Sequence, residues 1–369
     1  MKKLKNTKNK QYTLFTPGPT EVPDFVLQAS AQSLVYHRES NFSKLYQAVN
    51  EHLKAVFKTK GRVFIFTASG TGAMEAAVAN LVSRNEKALV AICGKFGERW
   101  KELLTRYGAY VRTLDAPYGK TINPQELERK LKTDDTIKYV FTTLTETSTG
   151  TLIDIKAFGE ICHKLNRLLI VDCIAGLAAD EFQMDNWHVD VAIGASQKAL
   201  FTPPGLSFLA CNDKAWQIIE KSRNPRYYFD LLIAENFHKK NQTPWTPAVS
   251  IFNGLLAALQ YVTKKGIEHS WQRHQTIAEY VRTYLTKLNI ELYSEKPSNA
   301  LTVVKMPEYI DSTKIIEYLK NKYHILFANG QAELKGKIIR IGHMGLYDKK
   351  TFAQILNYFT QVYQKMLKK

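Results

Sequence analysis

The sequence predicts an α/β protein: a large domain with a mostly parallel central sheet flanked by helices, followed by a smaller α+β domain. Three observations carry this reading. Short apolar runs alternate with helical patterns from about residue 40 to 210. After about residue 250 the texture changes to long helical patterns with two short strand-like runs between them. Polar or small residues stand directly after the apolar runs, where a parallel sheet presents its ligand-facing positions.

The elements follow in order. Arg62 to Thr67 (R-V-F-I-F-T) is an apolar run that ends at a glycine-containing turn. Ala88 to Cys93, Tyr139 to Thr143, Leu168 to Asp172, Val189 to Ala195 and Ser207 to Cys211 are further runs of strand length. Helical patterns at Ala73 to Val82, Glu98 to Tyr107 and Ile155 to Asn166 lie between them. Strands that alternate with helices make crossover units and therefore parallel neighbours. In the second part, Val249 to Thr263 and Trp271 to Leu288 read as helices. Ala300 to Lys305 and Lys337 to Gly342 read as strands, and Lys350 to Met366 as a terminal helix. The expected division is an N-terminal arm (1–22), a large domain (23–255) and a small C-terminal domain (256–369).

Composition narrows the function classes. With 369 residues and 45% apolar content, a sizeable core is available. No apolar run reaches the ~18 residues of a membrane span, so no membrane partner is expected. Met1 to Gln11 is lysine-rich with no apolar segment behind it, which is not a secretory signal, and the expected location is the cytoplasm. Cysteines stand at 93, 162, 173 and 211 without a C-x-x-C pair, so no metal site is expected. The net charge is +17. Part of it is terminal (Lys2, Lys3, Lys5, Lys8 and Lys10; Lys365, Lys368 and Lys369), and the rest is scattered. No basic stretch is interleaved with aromatics, so a solvated surface rather than a nucleic-acid partner is expected.

Three segments carry candidate chemistry. In V-A-I-G-A-S-Q-K-A-L (191 to 200), Lys198 follows a strand. A desolvated lysine loses its proton more easily and becomes a nucleophilic amine. Asp172 ends the run L-L-I-V-D, 26 residues before Lys198, a spacing that accommodates one crossover between two neighbouring strand ends. In A-S-G-T-G-A-M-E (68 to 75) a small, glycine-containing turn leads into a helix, whose N-terminal N–H groups favour a phosphate. It matches neither the dinucleotide fingerprint nor the P-loop.

Further motifs lie in the same order along the chain: T-P-G-P-T (16 to 20), H-R (37 and 38), E-T-S-T-G (146 to 150), V-D-C-I-A-G (171 to 176), P-P-G (203 to 205), T-P-W-T-P (243 to 247) and R-I-G-H-M-G (340 to 345). Together with S-G-T-G-A-M-E and S-Q-K-A-L, the set resembles the class V aminotransferases. The nearest branch looks like the alanine–glyoxylate and serine–pyruvate or serine–glyoxylate enzymes. The resemblance implies the fold type I of transferases that use pyridoxal 5'-phosphate (PLP). It also implies roles for particular residues. Lys198 holds the cofactor as a Schiff base and, once released, moves the proton between substrate and cofactor. Asp172 pairs with the pyridine nitrogen and keeps the ring an electron sink. Thr71, Gly72, Ala73 and Gln197 bind the phosphate. Phe96 stacks on the ring where relatives often carry Trp, with Trp100 as the other aromatic and a packing residue. Ser148 bonds the 3'-oxygen region. Thr243 and Thr246 reach the phosphate from a neighbouring subunit, which implies a homodimer with shared active sites.

Arg340 is the candidate for the substrate α-carboxylate, because a guanidinium fork matches a planar carboxylate. Gly18 belongs to the same substrate-facing set. His343 reads as structural. His37 and Arg38 either approach the substrate side chain or tie the subunits together. The implied reaction is ping-pong transfer from alanine or serine to glyoxylate or pyruvate. The main alternative is a phosphoserine aminotransferase, for which His37 and Arg38 suit a phosphate. Against it, an arginine expected near the phosphate loop is absent, since Ala73, Met74 and Glu75 follow Gly72. Ureidoglycine or aminoethylphosphonate donors are also open. A lyase of the cysteine desulfurase type fits less well, because Gln197 precedes the lysine and no cysteine follows Cys211. A non-catalytic role would require the loss of Lys198 or Asp172.

Overall fold

The computed structural model describes residues 12–367. The lysines at 2, 3, 5, 8 and 10, and at 368 and 369, lie outside these residues, as does the start of the expected N-terminal arm.

A seven-stranded sheet organises the large domain, in the order Arg62–Phe66, Ser207–Cys211, Val191–Ala195, Leu168–Asp172, Ile137–Thr143, Lys87–Ile92, Tyr110–Asp115. Ser207–Cys211 is antiparallel to both its neighbours, and the other pairings are parallel. Strand side chains alternate between faces. Leu169 and Val171 therefore enter one core while Leu168 and Ile170 enter another, on opposite sides of the sheet. Because both faces are covered, these strands read as continuous apolar runs rather than alternating ones. Tyr110–Asp115 is the exception. It is an edge strand, largely exposed, and its sequence Y-V-R-T-L-D carries no apolar run.

Helices Gly70–Leu81 and Lys95–Arg106 start directly after strands Arg62–Phe66 and Lys87–Ile92. The latter helix buries Trp100 completely. Its indole Nε1 donates to the Thr142 carbonyl at 3.0 Å, so this tryptophan is a packing residue. Truncating so large a buried side chain costs about 3–5 kcal/mol.

The small domain has a three-stranded antiparallel sheet, Leu301–Lys305, Ile338–Gly342 and Ala328–Asn329. It is covered by Ile267–Lys287, Ser312–Tyr323 and Lys349–Leu367, which share one core with Phe15. Thr13–Leu14 pairs in parallel with Ile325–Leu326, which ties the start of the described chain to this domain. The expected division at 255/256 falls inside the unbroken helix Val249–Thr263. Ala258, Leu259 and Val262 of that helix pack in the large core, and Ile277, Val281 and Leu285 are in the small one. Leu301, Val303 and Ile338 of the small-domain sheet also pack in the large core. Among the described residues, no helix is long and apolar enough to cross a membrane.

Candidate active site

The carboxyl ends of the parallel strands meet the segment Thr16 to Thr20, which folds over Lys198. The Thr20 N–H donates to the Gln197 carbonyl at 3.2 Å, and its hydroxyl to the Lys198 carbonyl at 3.1 Å. Lys198 Nζ donates to the Pro17 carbonyl at 2.7 Å. Gly18 has φ +116°, and a Cβ there would lie 2.4 Å from Nζ. Only glycine leaves room for the lysine at this turn.

Burial lowers the Lys198 ammonium to about 8, with Arg340 and Arg99 pushing the same way and Asp172 opposing. Asp172 ends its strand, and its Oδ1 accepts from the Ile174 N–H at 2.8 Å. Burial raises this carboxyl to about 7, with the Glu146 charge adding to the rise. A proton is therefore easily exchanged at both groups near neutral pH, as acid–base chemistry requires.

Two cavities share Lys198 and Phe96. One, of about 140 Å³, is lined by Ser69, Gly70, Thr71, Arg99, Asp172 and Gln197 among others. The other, of about 270 Å³, is lined by Gly18, Thr147, Gln331 and Arg340, with Leu14, Pro17, Pro19, Leu326 and Ala328. A larger cavity, of about 680 Å³, lies at the opposite ends of the strands. Its Arg62 is already paired with Asp213 at 2.7 Å and with Glu235 at 3.3 Å.

Arg340 projects from Ile338–Gly342. Its Nε donates to the Asn329 carbonyl at 2.8 Å and its Nη1 to the Thr147 carbonyl at 3.1 Å. Burial lowers its pKa to about 10, against the opposing Glu146 charge, so it stays cationic at neutral pH. Among the described residues Nη2 has no partner, which leaves one edge of the fork for a ligand carboxylate.

Several expected residues lie elsewhere. Ser148 is fully buried and off the cavity walls. Its hydroxyl donates to Glu146 Oε1 at 2.5 Å and accepts from the Lys95 N–H at 3.0 Å. Thr147, one residue earlier, lines both cavities instead. Ala73 packs in the core between helix and sheet. Gly72 serves packing too: a Cβ there would lie 2.7 Å from that of Ala68, and its N–H bonds the Ser69 carbonyl at 2.8 Å. Arg38 is committed to the carbonyls of Thr243 at 2.6 Å and Pro244 at 2.8 Å. The Thr243 hydroxyl turns to the Trp245 carbonyl at 2.8 Å, and Thr246 is exposed. Within one protomer none of His37, Arg38, Thr243 and Thr246 lines either cavity. His343 is fully buried, and its Nδ1 lies 3.0 Å from the Asn299 carbonyl. Burial lowers it to about 3, which keeps it neutral and structural.

The sequence reading also passed over Glu146 and Arg99. Glu146 is buried and accepts the N–H groups of Phe96 and Gly97 at 3.0 and 3.1 Å, which fixes the first turn of the helix that carries Phe96. Arg99 donates to the Thr71 hydroxyl at 3.2 Å. It stands three residues after Phe96, on the same helix face, a spacing that could have identified it.

The donor set suits PLP. Lysine amine, carboxyl, aromatic wall and helix N-terminus converge, and Gln197 Oε1 is buried there without a partner among the described residues. When bound, PLP supplies the electron sink for the substrate carbanion. Lys198 would attach it and move protons, and Asp172 would hold the ring nitrogen.

Comparison with known proteins agrees. The family model described as aminotransferase class-V matches residues 7–350. An uncharacterized aminotransferase of Methanocaldococcus jannaschii is 38% identical over 91% of this chain and 89% of its own. The L-aspartate–glyoxylate aminotransferase of Paracoccus denitrificans is 33% identical over 91% and 87%. The crystal structure of alanine–glyoxylate aminotransferase from Nostoc superposes with a TM-score of 0.91 at 30% identity, covering 95% of both chains. With a lysine, an aspartate and an arginine gathered at the strand ends of this fold, the chain belongs to the class V aminotransferases, PLP-dependent enzymes of fold type I.

Proposed function

We propose that the enzyme moves an amino group from alanine or serine to glyoxylate or pyruvate by alternating half-reactions. One observation carries the choice of donor. In the 270 Å³ cavity, Arg340 and Lys198 are the cationic side chains among the described residues, and the rest of the wall is uncharged, with Gln331, Thr16 and Thr147 as its polar members. The α-carboxylate takes Arg340 and the α-amino group faces Lys198. A second negative group on the donor finds no counter-charge, and burying it unpaired is costly. The relatives named for glyoxylate support the acceptor, which is the smallest 2-oxo acid.

The test is kcat/KM for alanine, serine, aspartate and phosphoserine at fixed glyoxylate. Alanine or serine should exceed both charged donors by roughly a hundredfold, equivalent to ~3 kcal/mol. A preference for phosphoserine would assign the enzyme to that alternative and require a phosphate site beyond this protomer. Within the protomer Arg38 offers none, since two carbonyls hold it.

We further propose a two-fold homodimer. Leu34, Tyr36, Tyr227 and Tyr261 are 70%, 60%, 71% and 53% exposed, unusual for such large apolar groups. Leu34 and Tyr36 directly precede His37 and Arg38, and Tyr227 stacks on Trp245 of the 243–247 turn at 4.8 Å. In a two-fold dimer the partner's turn would complete the phosphate end of the site. Sedimentation equilibrium should give twice the chain mass, and a stable, active monomer would contradict this.

A further inference from the structure

Arg99 is a half-buried arginine that makes no salt bridge among the described residues, although its charge is felt by the Asp172 carboxyl across the cavity. Some other arginines are ion-paired, Arg62 with Asp213 and Glu235, Arg129 with Glu126, Arg226 with Asp230, and Arg38 and Arg340 are held by backbone carbonyls. Arg99 instead lies 4.8 Å above the Phe96 ring and donates Nη1 to Thr71 Oγ1. It lines the 140 Å³ cavity with Ser69, Gly70, Thr71, Gln197, Asp172 and Lys198. A partly desolvated guanidinium with only one hydroxyl as hydrogen-bond acceptor is better satisfied when an anion arrives.

The surroundings favour an anion over a neutral ligand. The helix Gly70–Leu81 directs its first N–H groups to this end of the cavity, and the Ser69 side chain makes no cap hydrogen bond that would occupy them. Gln197 has a buried side-chain oxygen without a partner, and turning its amide over would present N–H there. Asp172 and Lys198 share the cavity, so a ligand that meets both can extend its charged end to Arg99. Guanidinium geometry suits two phosphate oxygens at once, which a single hydroxyl such as that of Thr71 cannot match.

We propose that Arg99 anchors the cofactor phosphate, gripping the dianion together with the Thr71 hydroxyl and the first turn of the 70–81 helix. This inference rests on placing PLP between Phe96, Lys198 and Asp172. The same side chain braces Phe96, so a loss of Arg99 acts on ring and phosphate by separable routes.

The test compares PLP with pyridoxal, which lacks the phosphate. Apoprotein is titrated with each, following tryptophan fluorescence and the visible band that depends on Lys198. In Arg99→Met, PLP should bind roughly ten- to a hundredfold more weakly, while pyridoxal changes by no more than about twofold. Orthophosphate should compete with PLP in the wild type and less well in the variant. Arg99→Lys, which keeps the charge without the fork, should fall between and carries the test if the methionine variant does not fold. Equal losses for PLP and pyridoxal would assign Arg99 to bracing Phe96 alone and overturn the proposal. So would unchanged PLP affinity. A wild-type protein that gives no Lys198-dependent band with PLP would instead remove the cofactor placement itself, and the inference with it.

Discussion

Replacing Lys198 by alanine should lower transamination at least a thousandfold, in the range of general acid–base catalysis by one group. Among the described residues no other lysine lines either cavity. Lys198 is placed for the task by three contacts from the 16–20 segment, one of them the 2.7 Å bond of Nζ to Pro17. Its lowered pKa has a direct consequence. Below about 8 the ammonium dominates, and above it the free amine does. In the cofactor-free protein, carbonyl reagents should therefore add to Lys198 about tenfold faster per pH unit up to about 8 and then level off. An ordinary lysine would continue to gain reactivity to about 10.4. Stopped-flow rates across this range check the sign. A profile still rising above 9 would show that the cavity does not desolvate the amine.

The second large effect is at Arg340. Removing its guanidinium takes away the cation proposed to face the donor carboxylate and also frees the carbonyls of Asn329 and Thr147. Arg340→Ala should cost about 2–5 kcal/mol in kcat/KM, most of it through KM. Arg340→Lys keeps the charge but cannot brace two carbonyls and present a second edge to a carboxylate at the same time. It should fall between wild type and alanine. Steady-state kinetics with the alanine donor decides it. A KM that stays within about twofold of wild type would move the carboxylate site elsewhere.

The strand ends were the most legible part of the sequence. Lys198 and Asp172 follow continuous apolar runs, and a parallel sheet buried on both faces produces such runs and puts its chemistry just after them. Arg340 was legible for the same reason, in a small-domain strand. The helices at 70–81 and 95–106 began within three residues of their expected positions.

What escaped has physical causes. The 110–115 strand is an edge strand that buries only Leu114, so no run marks it. Ser148 and Thr147 are neighbouring hydroxyl residues in E-T-S-T-G, and sequence alone does not say which turns inward. The buried Glu146 carboxylate decides this by drawing in the Ser148 hydroxyl and leaving Thr147 to the cavity. The sequence leaves Arg38 open between a substrate contact and a subunit tie because its partners, the carbonyls of Thr243 and Pro244, lie more than two hundred positions away. Whether the 243–246 turn serves a second subunit depends on an assembly that one chain's sequence does not encode locally.

The most direct measurement is the absorbance spectrum of the PLP-loaded protein during one half-reaction. The two cavities that meet at Lys198, one lined by Asp172 and the other by Arg340, predict a visible band that disappears when alanine is added without an acceptor and returns when glyoxylate follows. In Lys198→Ala the cycle should be absent. A band that donor amino acids leave unchanged, or one that cycles equally well without Lys198, would contradict the assignment of this site.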